Sequence, residues 1–336
     1  MTVNKIITGV LSYGMSGRVF HTPFIANNDR FELRAVVERS TKKAQLDYPS
    51  IISYDSVEEL LADDAIELVI INTPNDTHVS LAKQALLAGK HVLIEKPFAP
   101  TVLEAKELFD LGRKVGKFVL PYHNRRFDSD FNSLKSVLEC GKVGEPVELH
   151  LRFDRYRAEI GQKVFKETKR PAAGILFDLG SHLLDQVISL FGKPLTAVKR
   201  TSIHRKDSEV DDFATLLLTF DHGLTVFITV SMLVLESQYS FLLHGTQGTF
   251  VKDRTDVQEN QLIDGISPID EHYGEENEHA EGLLTYLEQG NMVSERLKAL
   301  KGNYMLLFDA VYDQIRNDKA YFVTEEQIYS QLEILE

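Results

Sequence analysis

The feature that most constrains this chain is the alternation of its first 121 residues between short apolar runs and helical patterns. Runs at 5–11, 33–37, 68–71, 92–94 and 118–120 are separated by amphipathic stretches at 17–26, 56–63, 77–88 and 101–115. Strands that alternate with helices cannot pair as hairpins. They imply parallel strands joined by helical crossovers, with both sheet faces covered. Ser56 and Thr101 stand at N-cap positions, and Glu59 and Glu104 three residues on complete capping boxes.

The first crossover contains Ser12-Tyr13-Gly14-Met15-Ser16-Gly17, a GxGxxG loop with serine at its first glycine. Between a strand and a helix this spacing predicts a dinucleotide site. Gly14 lets backbone approach a pyrophosphate, Gly17 lets helix and strand pack closely, and the helix N-terminus favours anionic charge. Ser12, Met15 and Ser16 line the same turn. Ser12 weakens the usual tight-turn requirement.

The second run ends in Glu38-Arg39-Ser40, with Glu38 at the spacing from Gly17 expected of an acid that bonds an adenosine ribose. Glu38 favours NAD. Arg39, Ser40 and Thr41 suit the 2′-phosphate of NADP if Glu38 turns aside, so both cofactors stay open. A later run enters Asn72-Thr73-Pro74-Asn75-Asp76-Thr77-His78, where Thr73, Pro74, Asn75 and His78 are candidate cofactor contacts. The same loop also reads as an ordinary cap for the next helix. The run at 92–94 ends in Glu95-Lys96-Pro97, which puts a carboxylate and an ammonium at the edge where open α/β sheets bind ligands.

Composition narrows the class. A 336-residue chain, 43% hydrophobic and 26% charged, is long enough for two cores and has no apolar run of membrane-spanning length. A net charge of −13 disfavours a nucleic-acid partner. One cysteine, Cys140, provides neither a disulfide nor a thiolate metal cage, and it reads as a structural thiol. His272 and His279, in an acidic stretch, show no metal spacing. No metal site is expected. Residues 1–7 lack a signal-peptide pattern, and a cytoplasmic location is the expectation.

Beyond residue 121 the rhythm changes. Residues 148–156 alternate with period two, placing Leu149, Leu151 and Phe153 on one face. Similar strands are expected at 197–203, 213–220, 224–232 and 239–244, which suggests a mostly antiparallel sheet. Between them, 174–192 reads as an amphipathic helix with Asp178 and His182 one turn apart, extended along that face by Asp185 and Gln186. His123, Arg126, Arg155 and Tyr156 flank the change of rhythm and suit the hydroxyls of a small ligand, although Arg125, Arg126 and Arg155 equally suit surface pairs with Asp128, Asp130 and Asp154. Helices are expected at 304–315 and 324–335.

Taken together, SYGMSG, TPNDTH, EKP and FDLGSHLLDQ resemble the Gfo/Idh/MocA oxidoreductases, and 122–131 narrows the resemblance to members like NADP-dependent scyllo-inositol dehydrogenase. The resemblance implies an α/β chain: a Rossmann doubly wound parallel sheet over residues 1–121, then an α+β substrate and oligomerisation domain over 122–336 on an open, mostly antiparallel sheet. It implies a homodimer or homotetramer, a small polyol or sugar as substrate, and a cis Lys96–Pro97 bond. Phe127 stands where close relatives often carry tryptophan.

It further places Lys96 near the nicotinamide, with Glu95 alongside. Oxidising a secondary alcohol requires a proton to leave as the hydride departs, and histidine is suited to this near neutral pH. His182 is the proposed proton carrier, Asp178 its orienting or substrate-binding partner, and Lys96 the stabiliser of charge on oxygen. Which of Lys96 and His182 moves the proton stays open. Rival readings are an NAD-dependent glycoside hydrolase and a non-catalytic dinucleotide-binding regulator.

Overall fold

The computed structural model describes residues 4–161 and 167–336. Met1 to Val3, part of the stretch read for a signal peptide, lie outside the described residues. Two compact units emerge. The first comprises Met1–Asn124, Gln258–Tyr273 and Asn303–Tyr329, and the second the remainder.

The first unit is built on a six-stranded parallel sheet. Its strands are β1 (Ile6–Val10), β2 (Phe31–Val37), β3 (Ile52–Tyr54), β4 (Leu68–Ile71), β5 (His91–Ile94) and β6 (Val119–Pro121), in the order β3-β2-β1-β4-β5-β6. The order reverses between β1 and β4. Helices α1 (Thr22–Asn27), α2 (Ala44–Asp47), α3 (Val57–Leu61), α4 (His78–Leu87) and α5 (Val102–Val115) form the connections. Ser56 and Thr101 cap α3 and α5 by accepting the Glu59 and Glu104 N–H groups. Leu68 through Ile71 and Val92 through Ile94 are fully buried, as a strand covered on both faces requires.

Two segments from late in the chain complete this core. They carry α8 (Gln258–Ile263) and α9 (Met305–Asn317). Phe308 stacks on Phe24 at 5.1 Å, with Tyr273 and Tyr304 against the same ring. Arg316 donates to both Glu67 carboxylate oxygens at 2.8 Å, and the Tyr321 hydroxyl donates to the Pro121 carbonyl.

The second unit carries an eight-stranded sheet. Its strands are β7 (Pro146–Asp154), β8 (Thr196–Ser202), β9 (Phe213–Thr219), β10 (Thr225–Ser231), β11 (Phe241–Gly245), β12 (Gly248–Lys252), β13 (Gly282–Glu288) and β14 (Asn291–Leu297), in the order β14-β13-β12-β11-β7-β10-β9-β8. All neighbours are antiparallel except β7 and β10. Leu149, Leu151 and Phe153 are buried along β7, in the period-two pattern. Helices α6 (Ser129–Cys140) and α7 (Ser181–Phe191) belong to this unit, and α10 (Glu325–Leu335), with its first residues in the first unit and its last in the second, follows the helical pattern at 324–335. Cys140 is a free, exposed thiol in the last turn of α6.

Candidate functional site

In the first unit, the loops after β1 and β4 leave the sheet on either side of the reversal in strand order, where doubly wound sheets form a crevice. The β1 loop is closed by serine. The Ser12 hydroxyl accepts the Gly14 N–H at 3.2 Å, and the Ser12 carbonyl accepts the Asn72 amide at 2.8 Å. A serine-based turn of this kind needs no left-handed backbone at position 12, which explains how the loop forms without its first glycine.

The loop fits a dinucleotide. A Cβ at Gly17 would stand 2.0 Å from the Ser12 carbonyl oxygen, so only glycine permits this close crossing of helix and strand. A Cβ at Gly14 would meet little besides the Ser12 hydroxyl at 3.4 Å, leaving the backbone there approachable. Gly14 and Met15 are exposed and Ser16 is half-buried.

The helix after this loop begins as a π-turn over Gly17–His21 and becomes α-helical only from Thr22. Pro23 at the start of α1 brings no N–H to an i−4 carbonyl, and the Thr22 hydroxyl and N–H both turn back to Gly17 O. Wide turns of this kind recur at functional sites. This one turns His21 into the core, fully buried, with its ring 4.5 Å from Tyr122.

Glu38 at the end of β2 is 8% exposed, and its carboxylate is engaged within the fold. It accepts the Lys43 N–H at 2.8 Å, the Ala44 N–H at 3.2 Å and the Ser53 hydroxyl at 2.8 Å. It serves as the N-terminal acceptor of α2. Arg39, Ser40 and Thr41 remain exposed beside it.

Thr73 and Asn75 are half-buried and Pro74 is exposed, in a loop that passes through a single 3₁₀ turn. His78 lies inside. It is 1% exposed, with Nδ1 3.0 Å from the Pro97 carbonyl oxygen and Nε2 2.9 Å from the Thr73 carbonyl oxygen. Burial pushes this imidazole below its ordinary pKa, despite the two carbonyls that favour protonation. His78 therefore joins the Thr73 loop to the Lys96–Pro97 turn from within.

Glu95 likewise points inward. One carboxylate oxygen accepts the Ser16 hydroxyl at 2.7 Å and faces His21 Nε2 at 2.9 Å, and the other accepts the Lys96 N–H at 3.1 Å. Burial opposes its charge, but hydrogen bonds from His21 and Ser16 and the Lys96 charge prevail and hold its pKa down to about 2. Lys96 is half-buried, and the Lys96–Pro97 bond is cis. His123, the residue after Tyr122, is 2% exposed.

In the second unit, a further π-turn, Leu176–Gly180, runs directly into α7. Asp178 is half-buried in the wide turn, and His182 follows one turn later at 5% exposure. Gly180 packs against β10, where a Cβ would lie 3.8 Å from Val230. Asp185 and Gln186, one turn further on, make internal hydrogen bonds. Asp185 receives Arg126 through two 2.8 Å bonds and Gln331 at 2.7 Å, and Gln186 donates to the Arg125 carbonyl. Arg126, 7% exposed, is thus one arm of a buried bidentate pair. The surface pairing weighed for the arginines is realised only in part, since Arg125 pairs with fully buried Asp128. Arg155 lies 5.0 Å from the Phe153 ring, and Tyr156 is exposed.

Two further residues belong to this picture that sequence reading passed over. His21 and Asn72 organise the glycine loop from below, and only their positions beside the motifs could have drawn attention to them. Among the described residues no cluster suits a metal ion, and no helix is long and apolar enough to cross a membrane.

A parallel sheet with this strand reversal, glycine loop and polar carboxyl edge defines a dinucleotide-binding α/β protein. The family model of an oxidoreductase family with an NAD-binding Rossmann fold matches residues 6–123, and that of the family's C-terminal alpha/beta domain matches 135–336. The chain belongs to the Gfo/Idh/MocA oxidoreductases, which use NAD or NADP.

It is 31% identical to scyllo-inositol 2-dehydrogenase (NADP(+)) IolW of Bacillus subtilis, covering 99% of this chain and 93% of that one. A partial match, 29% identical over 61% of this chain and 58% of the relative, is to D-glucoside 3-dehydrogenase of Escherichia coli. The crystal structure of an oxidoreductase from Bacillus cereus superposes with a TM-score of 0.89 at 33% identity, covering 98% of this chain and 95% of that one.

Proposed function

We propose that this protein is an NADP-preferring dehydrogenase that acts at a secondary hydroxyl of an inositol-like cyclic polyol or sugar. The observation that carries the reading is the commitment of Glu38. A carboxylate already accepting two backbone N–H groups and a serine hydroxyl has little capacity left for a ribose, and its charge faces α2. Exposed Arg39, Ser40 and Thr41 supply the charge and hydroxyls that a 2′-phosphate needs. Residues 1–121 bind the dinucleotide and 122–336 select the substrate and make the contacts of a cytoplasmic homo-oligomer. The NADP-dependent inositol relative supports the polyol assignment.

The backbone of Gly14 to Gly17 would receive the pyrophosphate, with Thr73, Pro74 and Asn75 along the remaining length. A bound nicotinamide would supply the acceptor or donor of the hydride. Lys96 Nζ hydrogen-bonds the reacting oxygen and stabilises the charge that develops on it. The His182 imidazole takes the hydroxyl proton during oxidation and returns it during reduction, and Asp178 fixes the ring. His123, Arg155 and Tyr156 contribute to substrate recognition, and Arg126 contributes through its pair with Asp185.

A panel of inositols and aldoses with NADP and NAD, followed by nicotinamide absorbance, tests this. The expected result is reduction with at least one polyol, at a kcat/KM about tenfold or more higher with NADP. Preference for NAD, or no reduction with any member, would contradict it.

A further inference from the structure

We propose that Glu95 is a positioning residue that couples the glycine loop to Lys96, so that the two are held as one rigid edge. The inference rests on the reading of Lys96 given above.

A glutamate before the working lysine invites assignment as a second ligand contact. Its geometry points elsewhere. The residue is 9% exposed, and both oxygens bond protein groups on either side of the crevice. Ser16, which donates at 2.7 Å, belongs to the loop that receives the pyrophosphate. The Lys96 N–H, which donates at 3.1 Å, fixes the backbone from which the ammonium extends. His21 faces the first oxygen at 2.9 Å from inside the π-turn, wedged against Tyr122 and Phe308. That wedge fixes the carboxylate, which in turn fixes the two edge segments.

A buried pair serving only stability would need just His21 and Glu95. It would have no need of a hydroxyl from the cofactor loop and an N–H from the catalytic strand end on the same carboxylate. Charge matters here as well. A charged acceptor makes shorter and stronger hydrogen bonds than a neutral one, so an ionised Glu95 holds Ser16 and Lys96 more firmly than an amide would. A displacement of about 1 Å at a reacting group is enough to cost roughly a hundredfold in rate.

Ser16→Ala and Glu95→Gln, made in the full chain, test the coupling. The first readout is hydrogen exchange at the Lys96 amide without cofactor. The others are NADPH affinity by fluorescence titration, and kcat and KM for the polyol. Ser16→Ala removes one hydroxyl and leaves the His21 contact intact, so it keeps the test available if Glu95→Gln does not fold. The expected result for Ser16→Ala is about tenfold faster exchange at Lys96 and a kcat about tenfold lower, with the KM for polyol within about threefold. Glu95→Gln should lower kcat by about a hundredfold at a similar KM.

Unchanged Lys96 exchange together with a kcat within about twofold in Ser16→Ala would overturn the coupling. So would a loss of NADPH affinity with kcat untouched, which would make Ser16 a cofactor contact only. Lys96→Ala separates this outcome from a failure of the parent reading. If that variant turns over normally, Lys96 is not the working group; if it is inactive while Ser16→Ala and Glu95→Gln are normal, only the coupling fails.

Discussion

His91 opens β5 with a lone pair in use: its Nδ1 accepts the Phe118 N–H at 3.0 Å while its ring stacks on Phe118 at 5.3 Å. Protonation would destroy that acceptor. Burial, with a smaller contribution from Lys117, lowers the imidazole from its ordinary range to about 4. The unfolded chain therefore binds more protons than the native one between about pH 6.5 and pH 4, and native stability falls as pH falls through that window. Because the ring is partly exposed, the loss is about 1–2 kcal/mol rather than the full value the shift implies. His91→Phe keeps the stacking and has no titrating group. Urea denaturation at a series of pH values should show a shallower decline for this variant, and an identical decline would contradict the assignment.

At the same scale, residue types were legible in the sequence while side-chain directions were not. Glu38 sits at the spacing a ribose-binding acid would have, and sequence left it open whether the side chain turns outward. What turns it inward is α2, a helix running only from Ala44 to Asp47 with no apolar period to announce it, whose first N–H groups require an acceptor. Arg126 and Asp185 show the same limit. Arg126 suited substrate by its position in the sequence, Asp185 extended the Asp178/His182 face, and the two bind each other.

Among the elements, β1, β2, β4, β5 and β6 follow from apolar runs and α3 and α5 from their caps, but β3, α2 and the π-turns at Gly17–His21 and Leu176–Gly180 do not. A wide turn inserts one extra residue without changing which residue types are apolar, so periodicity reads straight through it. The hairpin between β13 and β14 was missed for another reason. Its turn is Gln289-Gly290, both at positive φ, a pairing that supplies the primed two-residue turn with glutamine where asparagine or aspartate usually signals it.

Gly17 is the position where element geometry and function meet. Gly17→Ala drives a methyl group into the Ser12 carbonyl, which cannot retreat without breaking its bond to Asn72. Strain of this kind costs about 1–3 kcal/mol. The expected outcome is a lowered melting temperature and loss of the further rise that NADPH produces in the unsubstituted chain. A normal NADPH-dependent rise would show that the close crossing is not needed for binding.

For the whole molecule, the change from alternating βα units to period-two strands near residue 121 announced two different sheets, and both are present. What the rhythm could not announce is the return of Gln258–Tyr273 and Asn303–Tyr329 to the first unit. Those contacts depend on aromatic and ionic partners hundreds of positions away, such as Phe24 with Phe308 and Glu67 with Arg316. No local pattern encodes such a pairing.

The proposed chemistry gives Lys96 and His182 the proton and charge management of a hydride transfer whose cofactor other residues hold. Its most direct test compares Lys96→Ala and His182→Ala with the unsubstituted chain in two assays: NADPH affinity by fluorescence titration and polyol-dependent NADP reduction by absorbance. Each variant should lose about a thousandfold or more in kcat/KM while its NADPH affinity stays within about threefold. Turnover retained in both variants would contradict the account.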